Sequence, residues 1–209
     1  MRRKKTYAIA AVDEAGRGPL AGPISVAVVA TRVNSKFEIR NSKLLKNIKD
    51  SKKLSAKQRG EWLEILKSNF EYKVAMVGAK IIDRIGIQRA THLAVARALR
   101  NLQRSDASSQ TTKPDLILLD GLLSAPRHYV QKTIIKGDEK IPLISAASII
   151  AKICRDKKME KLHKIYPKYK FDCHKGYGTK AHYRAIKKYG LLPFHRRSFL
   201  TRVKGLKNL

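Results

Sequence analysis

Two adjacent carboxylates, Asp13 and Glu14, end the apolar run Ala8–Val12 and lead directly into Ala15-Gly16-Arg17-Gly18-Pro19-Leu20-Ala21-Gly22-Pro23. An ionised acid withdrawn from water without a partner costs on the order of several kcal/mol, so such a pair calls for cations or strong donors. Three glycines and two prolines within the nine following residues let the backbone turn sharply and approach a ligand closely. A strand and a turn that merely carry acids would account for Asp13 and Glu14 alone. The Gly16-Arg17-Gly18 behind them points further, to a metal site facing a phosphate. Hydrolysis of a phosphodiester needs a water made nucleophilic and a leaving oxyanion stabilised, and two divalent ions ~3.5–4 Å apart can do both. Mg²⁺ prefers a few carboxylates, water and phosphate oxygens to a full protein cage.

Further acids must reach the same place. Leu116-Ile117-Leu118-Leu119-Asp120-Gly121 repeats the opening pattern of apolar strand, terminal Asp and Gly. In Leu143–Asp156, an Ala- and Ser-rich helix, ~100° per residue places Ser145, Ile149, Lys152 and Asp156 on one stripe. Asp156 thus becomes a candidate, with an ordinary exposed helical Asp as the alternative.

The elements that would position these groups read as follows. Strands are predicted at Tyr7–Val12, Ile24–Thr31, Glu71–Gly78, Leu116–Asp120 and Thr133–Lys136. The short glycine turn favours an antiparallel pair for the first two. Ser55-Ala56-Lys57-Gln58 has capping-box form and opens a helix to about Ser68, with Trp62, Leu63 and Leu66 as apolar contacts. Ile87–Leu102 has helical spacing. That helix precedes Leu116–Asp120, which allows the strand to lie parallel to Tyr7–Val12, as crossover units require. Parallel neighbours end on one edge of a sheet, so Asp13 and Asp120 can converge across 107 positions.

Charge narrows the partners. The 209 residues carry 46 Lys+Arg against 16 Asp+Glu, a net +30, with 43% hydrophobic residues. Seven Glu are too few for the Lys–Glu enrichment of heat-adapted surfaces, so the surplus predicts binding to a polyanion, chiefly nucleic acid. Charge alone fits an architectural binder equally well. Met1-Arg2-Arg3-Lys4-Lys5 lacks a following apolar stretch long enough for a signal peptide, and no run approaches a membrane span. Cys154 and Cys173 match no metal spacing and read as packing residues in a reduced, cytoplasmic protein. One domain over 1–209 is expected, and a monomer.

The last fifth changes texture. Tyr166-Pro167-Lys168-Tyr169-Lys170-Phe171 interleaves aromatics with lysines, as a nucleic-acid surface does. His174-Lys175-Gly176-Tyr177-Gly178-Thr179 sets Tyr177 on a glycine-framed tip, before a helix Thr179–Tyr189 with Thr179 as N-cap. His174, His182 and His195 form no helical ligand pair and read as capping, packing or phosphate-contacting groups.

Five blocks in order then carry a resemblance. Asp13-Glu14-Ala15-Gly16-Arg17-Gly18-Pro19, Asp50-Ser51-Lys52-Lys53-Leu54, Lys136-Gly137-Asp138, Ser145–Lys152 with Arg155-Asp156, and His174–Thr179 with His182 together resemble ribonuclease HII, the type 2 ribonuclease H. The resemblance spans residues 7 to about 199. It implies an RNase H-like α/β fold: a mixed five-stranded sheet flanked by helices, with a helical C-terminal lobe from about residue 160. It also implies an endonuclease acting on RNA–DNA hybrids and on duplex DNA with a lone ribonucleotide. Asp13, Glu14, Asp120 and Asp156 resemble the four carboxylates that bind two Mg²⁺ or Mn²⁺ ions. Gly16, Arg17 and Gly18 resemble the loop at the ribose 2′-OH, and Tyr177 the residue packing on the neighbouring deoxyribose. Lys52 and Lys53, by their motif and charge, are candidates for phosphate contacts.

Overall fold

The computed structural model describes residues 6–34, 43–48, 51–104 and 113–200. Five strands form one sheet: β1 (Tyr7–Ala15), β2 (Ile24–Val33), β3 (Glu71–Val77), β4 (Leu116–Asp120) and β5 (Gln131–Ile134), in the order β3-β2-β1-β4-β5. β1 pairs antiparallel with β2 through the short glycine turn, and β2 with β3; β1 pairs parallel with β4, and β4 with β5. The sheet is therefore mixed, as the resemblance implies.

The β1–β4 register holds a constant offset, from Ile9 opposite Leu116 to Val12 opposite Leu119. Continued by one residue, it sets Asp13 level with Asp120. Side chains alternate between faces along a strand. Ala10, Val12, Ile117 and Leu119 face α3 (Ile87–Gln103), whose Ala94, Val95, Ala98 and Leu102 are buried against them. Ile9, Ala11 and Leu118 face the other way, toward α5 (Pro142–Ile165). Asp13 and Asp120 prolong this second row and so point to the α5 side. The small Ala146, Ala147 and Ala151 are fully buried on α5, letting it lie close to the sheet.

α1 (Ala56–Asn69) packs beside α5 and opens with the capping box, Ser55 accepting from the Gln58 amide and Gln58 from the Ser55 amide. Several elements differ from expectation. β1 and β2 run on to Ala15 and Val33 rather than ending at Val12 and Thr31. α2 (Ala79–Ile85), about two turns long, was not foreseen, and Gly86 separates it from α3. β5 lies at Gln131–Ile134 rather than Thr133–Lys136, because Lys136 adopts a left-handed φ of 55° that no strand tolerates. α5 runs nine residues beyond Asp156.

The C-terminal region is helical: α6 (Phe171–His174), α7 (Lys180–Tyr189) and α8 (Arg197–Leu200) follow α4 (Gly137–Lys140) and α5. Phe171, Tyr169, Ile186, Met159 and Leu200 form its core with Leu20 and Ala21 of the glycine turn. Cys154 is half-buried against the α5-side core, whereas Cys173 is exposed, so the packing role expected of it is corrected. Among the described residues no helix is long and apolar enough to cross a membrane.

Candidate active site

Carboxylate oxygens of Asp13, Asp120 and Asp138 come within 4.8 Å of one another at the sheet edge. Asp138 was not assigned a role from sequence, although it closes the Lys136-Gly137-Asp138 block. Its placement is local chemistry. Asp120 Oδ1 accepts from the Gly137 amide at 2.7 Å and the Asp138 amide at 3.3 Å, and the Ser145 hydroxyl donates to the Asp138 carbonyl at 2.6 Å. A Cβ at Gly137 would meet Ile144 Cδ1 at 2.7 Å and Asp120 Oδ1 at 3.2 Å, so the turn lies close against both side chains. One acid thus folds the segment that delivers the next.

Asp156 does not join this group, and the sequence expectation for it is corrected. Its Oδ1 lies 2.8 Å from Lys152 Nζ in a helical i,i+4 ion pair. Ser148, which hydrogen-bonds Asp13, precedes it on α5 by eight residues, or about 12 Å of helix axis. Helical phase put Asp156 on the right stripe; distance along the axis takes it away.

Glu14 behaves differently from its neighbour. β1 continues through Ala15, with Glu14 opposite Val26. β4 has already ended at Asp120, leaving Glu14 at an open edge where it lines a cleft of about 440 Å³ with Gly16, Arg17, Gly18, Ser148, Lys152, Arg155 and Tyr177. Its carboxylate is 3.9 Å from Arg17 Nη1.

Burial raises the Asp13 carboxyl well above the usual carboxylate range, and the charges of Glu14 and Asp120 push it the same way. Burial raises Glu14 as well; Arg17 opposes that shift and Asp120 adds to it. Acids crowded out of water and against one another are a hard-oxygen donor set suited to a divalent cation. Ser51 and Ser148 share a hydroxyl–hydroxyl hydrogen bond of 2.8 Å behind Asp13. Lys53 pairs with Glu139 at 3.0 Å, beside Asp138. The side chain of Lys52 lies outside the described residues, as do Lys49 and Asp50.

The Gly16-Arg17-Gly18 loop is held from behind by two buried arginines. Arg196 donates to the carbonyls of Gly16 (2.6 Å), Arg17 (2.9 Å) and Gly22 (3.0 Å). Arg155 donates to Pro23 (3.0 Å), Ala21 (3.2 Å) and Lys175 (2.9 Å). Burial, with the Arg155 charge adding, pulls the Arg196 guanidinium down to about 9, which still leaves it charged at neutral pH. Two enclosed cations behind a glycine loop give the cleft wall a positive potential suited to phosphate. Arg196 was missed from sequence because its contacts reach back 174 to 180 positions.

Tyr177, 47% exposed, stands over Gly18 and Arg155; the guanidinium carbon lies 5.8 Å from its ring centroid. The tip is fixed by backbone bonds from the Leu20 and Ala21 amides to the Gly176 carbonyl and by a row of histidines. The Gly176 amide donates to His174 Nδ1, so His174 Nε2–H donates to Tyr169. Likewise the Leu192 amide donates to His195 Nδ1, which makes His195 Nε2–H the donor to His182 Nε2 at 3.0 Å, while His182 Nδ1–H donates to the Tyr177 carbonyl at 2.9 Å. Each ring is neutral in this arrangement, and the histidines cap and pack rather than bind metal.

Burial pulls His182 and His195 down to about 4. The unfolded chain binds more protons than the folded one below about pH 6.5, so this stability is complete above that pH and drains away as pH falls toward 4. At ~1.4 kcal/mol per pKa unit the pair is worth several kcal/mol. Denaturant melts from pH 7 to pH 4.5 should show a steep loss in wild type and a flatter one in His195→Gln.

The residues match the family described as Ribonuclease HII over 10–202. Ribonuclease HII of Caldicellulosiruptor bescii is 42% identical over 95% of this chain and 89% of its own, and that of Endomicrobium trichonymphae 45% identical over 94% and 87%. The crystal structure of ribonuclease H2 from Pyrococcus horikoshii superposes with a TM-score of 0.66 at 29% identity, covering 91% of this chain and 93% of that one. With its acids gathered on the edge of a mixed sheet beside a braced glycine loop, the chain belongs to the ribonuclease HII family, the metal-dependent type 2 ribonuclease H endonucleases.

Proposed function

We propose that this protein hydrolyses the RNA strand of RNA–DNA hybrids and cuts on the 5′ side of a single ribonucleotide in duplex DNA, leaving 5′-phosphate and 3′-hydroxyl ends. The observation that carries the reading is the convergence of Asp13, Asp120 and Asp138 beside the Gly16–Gly18 loop and Tyr177. Asp13, Asp120 and Asp138, with Glu14 at the cleft rim, would hold a pair of divalent ions, Mg²⁺ or Mn²⁺. Bound there, such ions supply Lewis-acid activation of water and neutralise charge at the leaving oxygen.

The protein's own groups then divide the remaining work. Backbone at Gly16 and Gly18 can approach a 2′-OH, the group that separates RNA from DNA, without side chains filling the sugar's space. Arg17, partly exposed at the rim, meets the adjacent phosphate, and Lys53 lies on the same edge. The Tyr177 ring offers a flat apolar face for the next sugar.

A labelled duplex with one embedded ribonucleotide, incubated with and without Mg²⁺, tests the reading. Metal-dependent nicking at that position, with an all-DNA control intact, is expected. Nicking of the control would make the protein a DNA nuclease of the same fold, and no nicking a basic binder. Tyr177→Ala should lower cutting at the single ribonucleotide by roughly tenfold or more, since ring stacking is worth ~1–3 kcal/mol, while long hybrids lose less. Equal losses on both substrates would reduce Tyr177 to a structural part.

A further inference from the structure

Along one face of α7, from Ala181 to Tyr189, the structure holds a further, smaller hollow of about 290 Å³. Lys168, Lys170, Arg184 and Lys188 line it around Tyr169 and Tyr189, and no carboxylate does. Two ammonium groups face the Tyr189 ring, Lys168 Nζ at 5.5 Å and Lys188 Nζ at 5.4 Å from its centroid. Its wall is rigid: the Tyr169 hydroxyl bonds the carbonyls of Tyr189 (3.0 Å) and Gly190 (2.7 Å). Lys170 caps the short turn Pro167–Tyr169 in the left-handed region at φ 56°, its amide donating to the Pro167 carbonyl at 3.1 Å. Among the described residues none of the four cations has a carboxylate within 4.0 Å.

Four like charges around one small hollow repel each other and are quieted by an anion. α7 bounds how far this site stands from the cleft. It begins at Lys180, three residues after Tyr177, and its ten residues to Tyr189 span about 15 Å of helix axis. At 3.4 Å per base step that is about four to five base pairs of duplex.

We infer that this hollow grips a backbone phosphate of the bound duplex within about four to five base pairs of the position that Tyr177 faces. It is a second anchor, separate from the cutting cleft, which reads charge and spacing but neither sugar nor sequence. The inference rests on the proposed nucleic-acid substrate and adds a minimum duplex length to it.

The test compares wild type with Lys168→Ala/Arg184→Ala/Lys188→Ala, all exposed positions, by fluorescence anisotropy across a salt series. On a duplex with arms of about ten base pairs, the variant should bind roughly tenfold or more weakly, with a log–log salt slope smaller by about 1–2. Duplexes trimmed to about two base pairs on one side or the other form the second arm of the test. One of these trims should erase the difference between the proteins. Equal binding on the long duplex, or a deficit that survives both trims, overturns the anchor; the latter reports a general field. Thermal melts of both proteins exclude a folding defect. Wild type that binds these duplexes yet fails to nick the ribonucleotide with Mg²⁺ sinks the proposed reaction and leaves the anchor standing.

Discussion

Asp138→Asn is expected to stop metal-dependent nicking, by at least about a thousandfold, while Asp156→Asn should cost about tenfold or less. The contrast follows from position. Asp138 shares its cluster with Asp13 and Asp120, and removing its charge leaves too few hard anions to hold the cations. Asp156 holds Lys152, and its loss frees an ammonium group already lining the cleft. Asp13→Asn should silence the enzyme as completely as Asp138→Asn. It should also raise the melting temperature of the metal-free protein at pH values where Asp13 would have to ionise, because it removes a buried carboxyl whose ionisation burial, Glu14 and Asp120 all oppose.

The sign with pH is definite. In the metal-free protein the raised Asp13 carboxyl keeps a proton that the unfolded chain has lost, so stability declines as pH rises from the usual carboxylate range through the raised value. Metal must displace that proton, so Mn²⁺ affinity should climb with pH over the same interval. Calorimetric titrations in buffers of different ionisation enthalpy would count the protons released. A nicking rate for Asp138→Asn close to wild type, or none for Asp156→Asn, would reverse the assignment.

Gly16→Ala is the second large effect, and its origin is steric. Gly16 has φ 94°, and an added Cβ would stand 1.9 Å from Arg155 Nε and 2.3 Å from its Cδ. The positive φ costs about 1–2 kcal/mol, and overpacking about 1–3 more. Moving Arg155 also strips donors from the carbonyls of Ala21, Pro23 and Lys175, each worth about 1 kcal/mol or more when buried. Against a typical total of about 5–15 kcal/mol, the variant should unfold many degrees earlier or fail to accumulate as soluble protein. Gly18→Ala is the control, since its Cβ would meet only Tyr177 Cε1 at an ordinary 3.9 Å. Its melting temperature should stay within a few degrees of wild type. Equal melting of the two variants would mean that the Arg155 brace contributes little.

Much of the frame was legible because it rests on local rules. Strand-length apolar runs, the Ser55–Gln58 box and a helix between two strands sufficed for the antiparallel and parallel neighbours that bring Asp13 and Asp120 to one edge. Asp138 was hidden for a physical reason. It sits in a four-residue helix shaped by a left-handed Lys136 and by hydrogen bonds to a carboxylate 18 positions upstream, and no periodicity marks such a turn. Asp156 misled because a helical wheel carries angle without axial distance. The tautomers of His174, His182 and His195 were equally out of reach, since each is set by a backbone amide or a neighbouring ring.

The Arg196 brace has a consequence for biosynthesis. All three clustered acids leave the ribosome well before the residue that clasps Gly16 and Arg17 from 180 and 179 positions downstream. A nascent chain that has emerged only as far as α7 already carries the clustered acids but not the clasp. The loop proposed to meet the sugar is therefore the last part of the site that this polypeptide can complete as it is made.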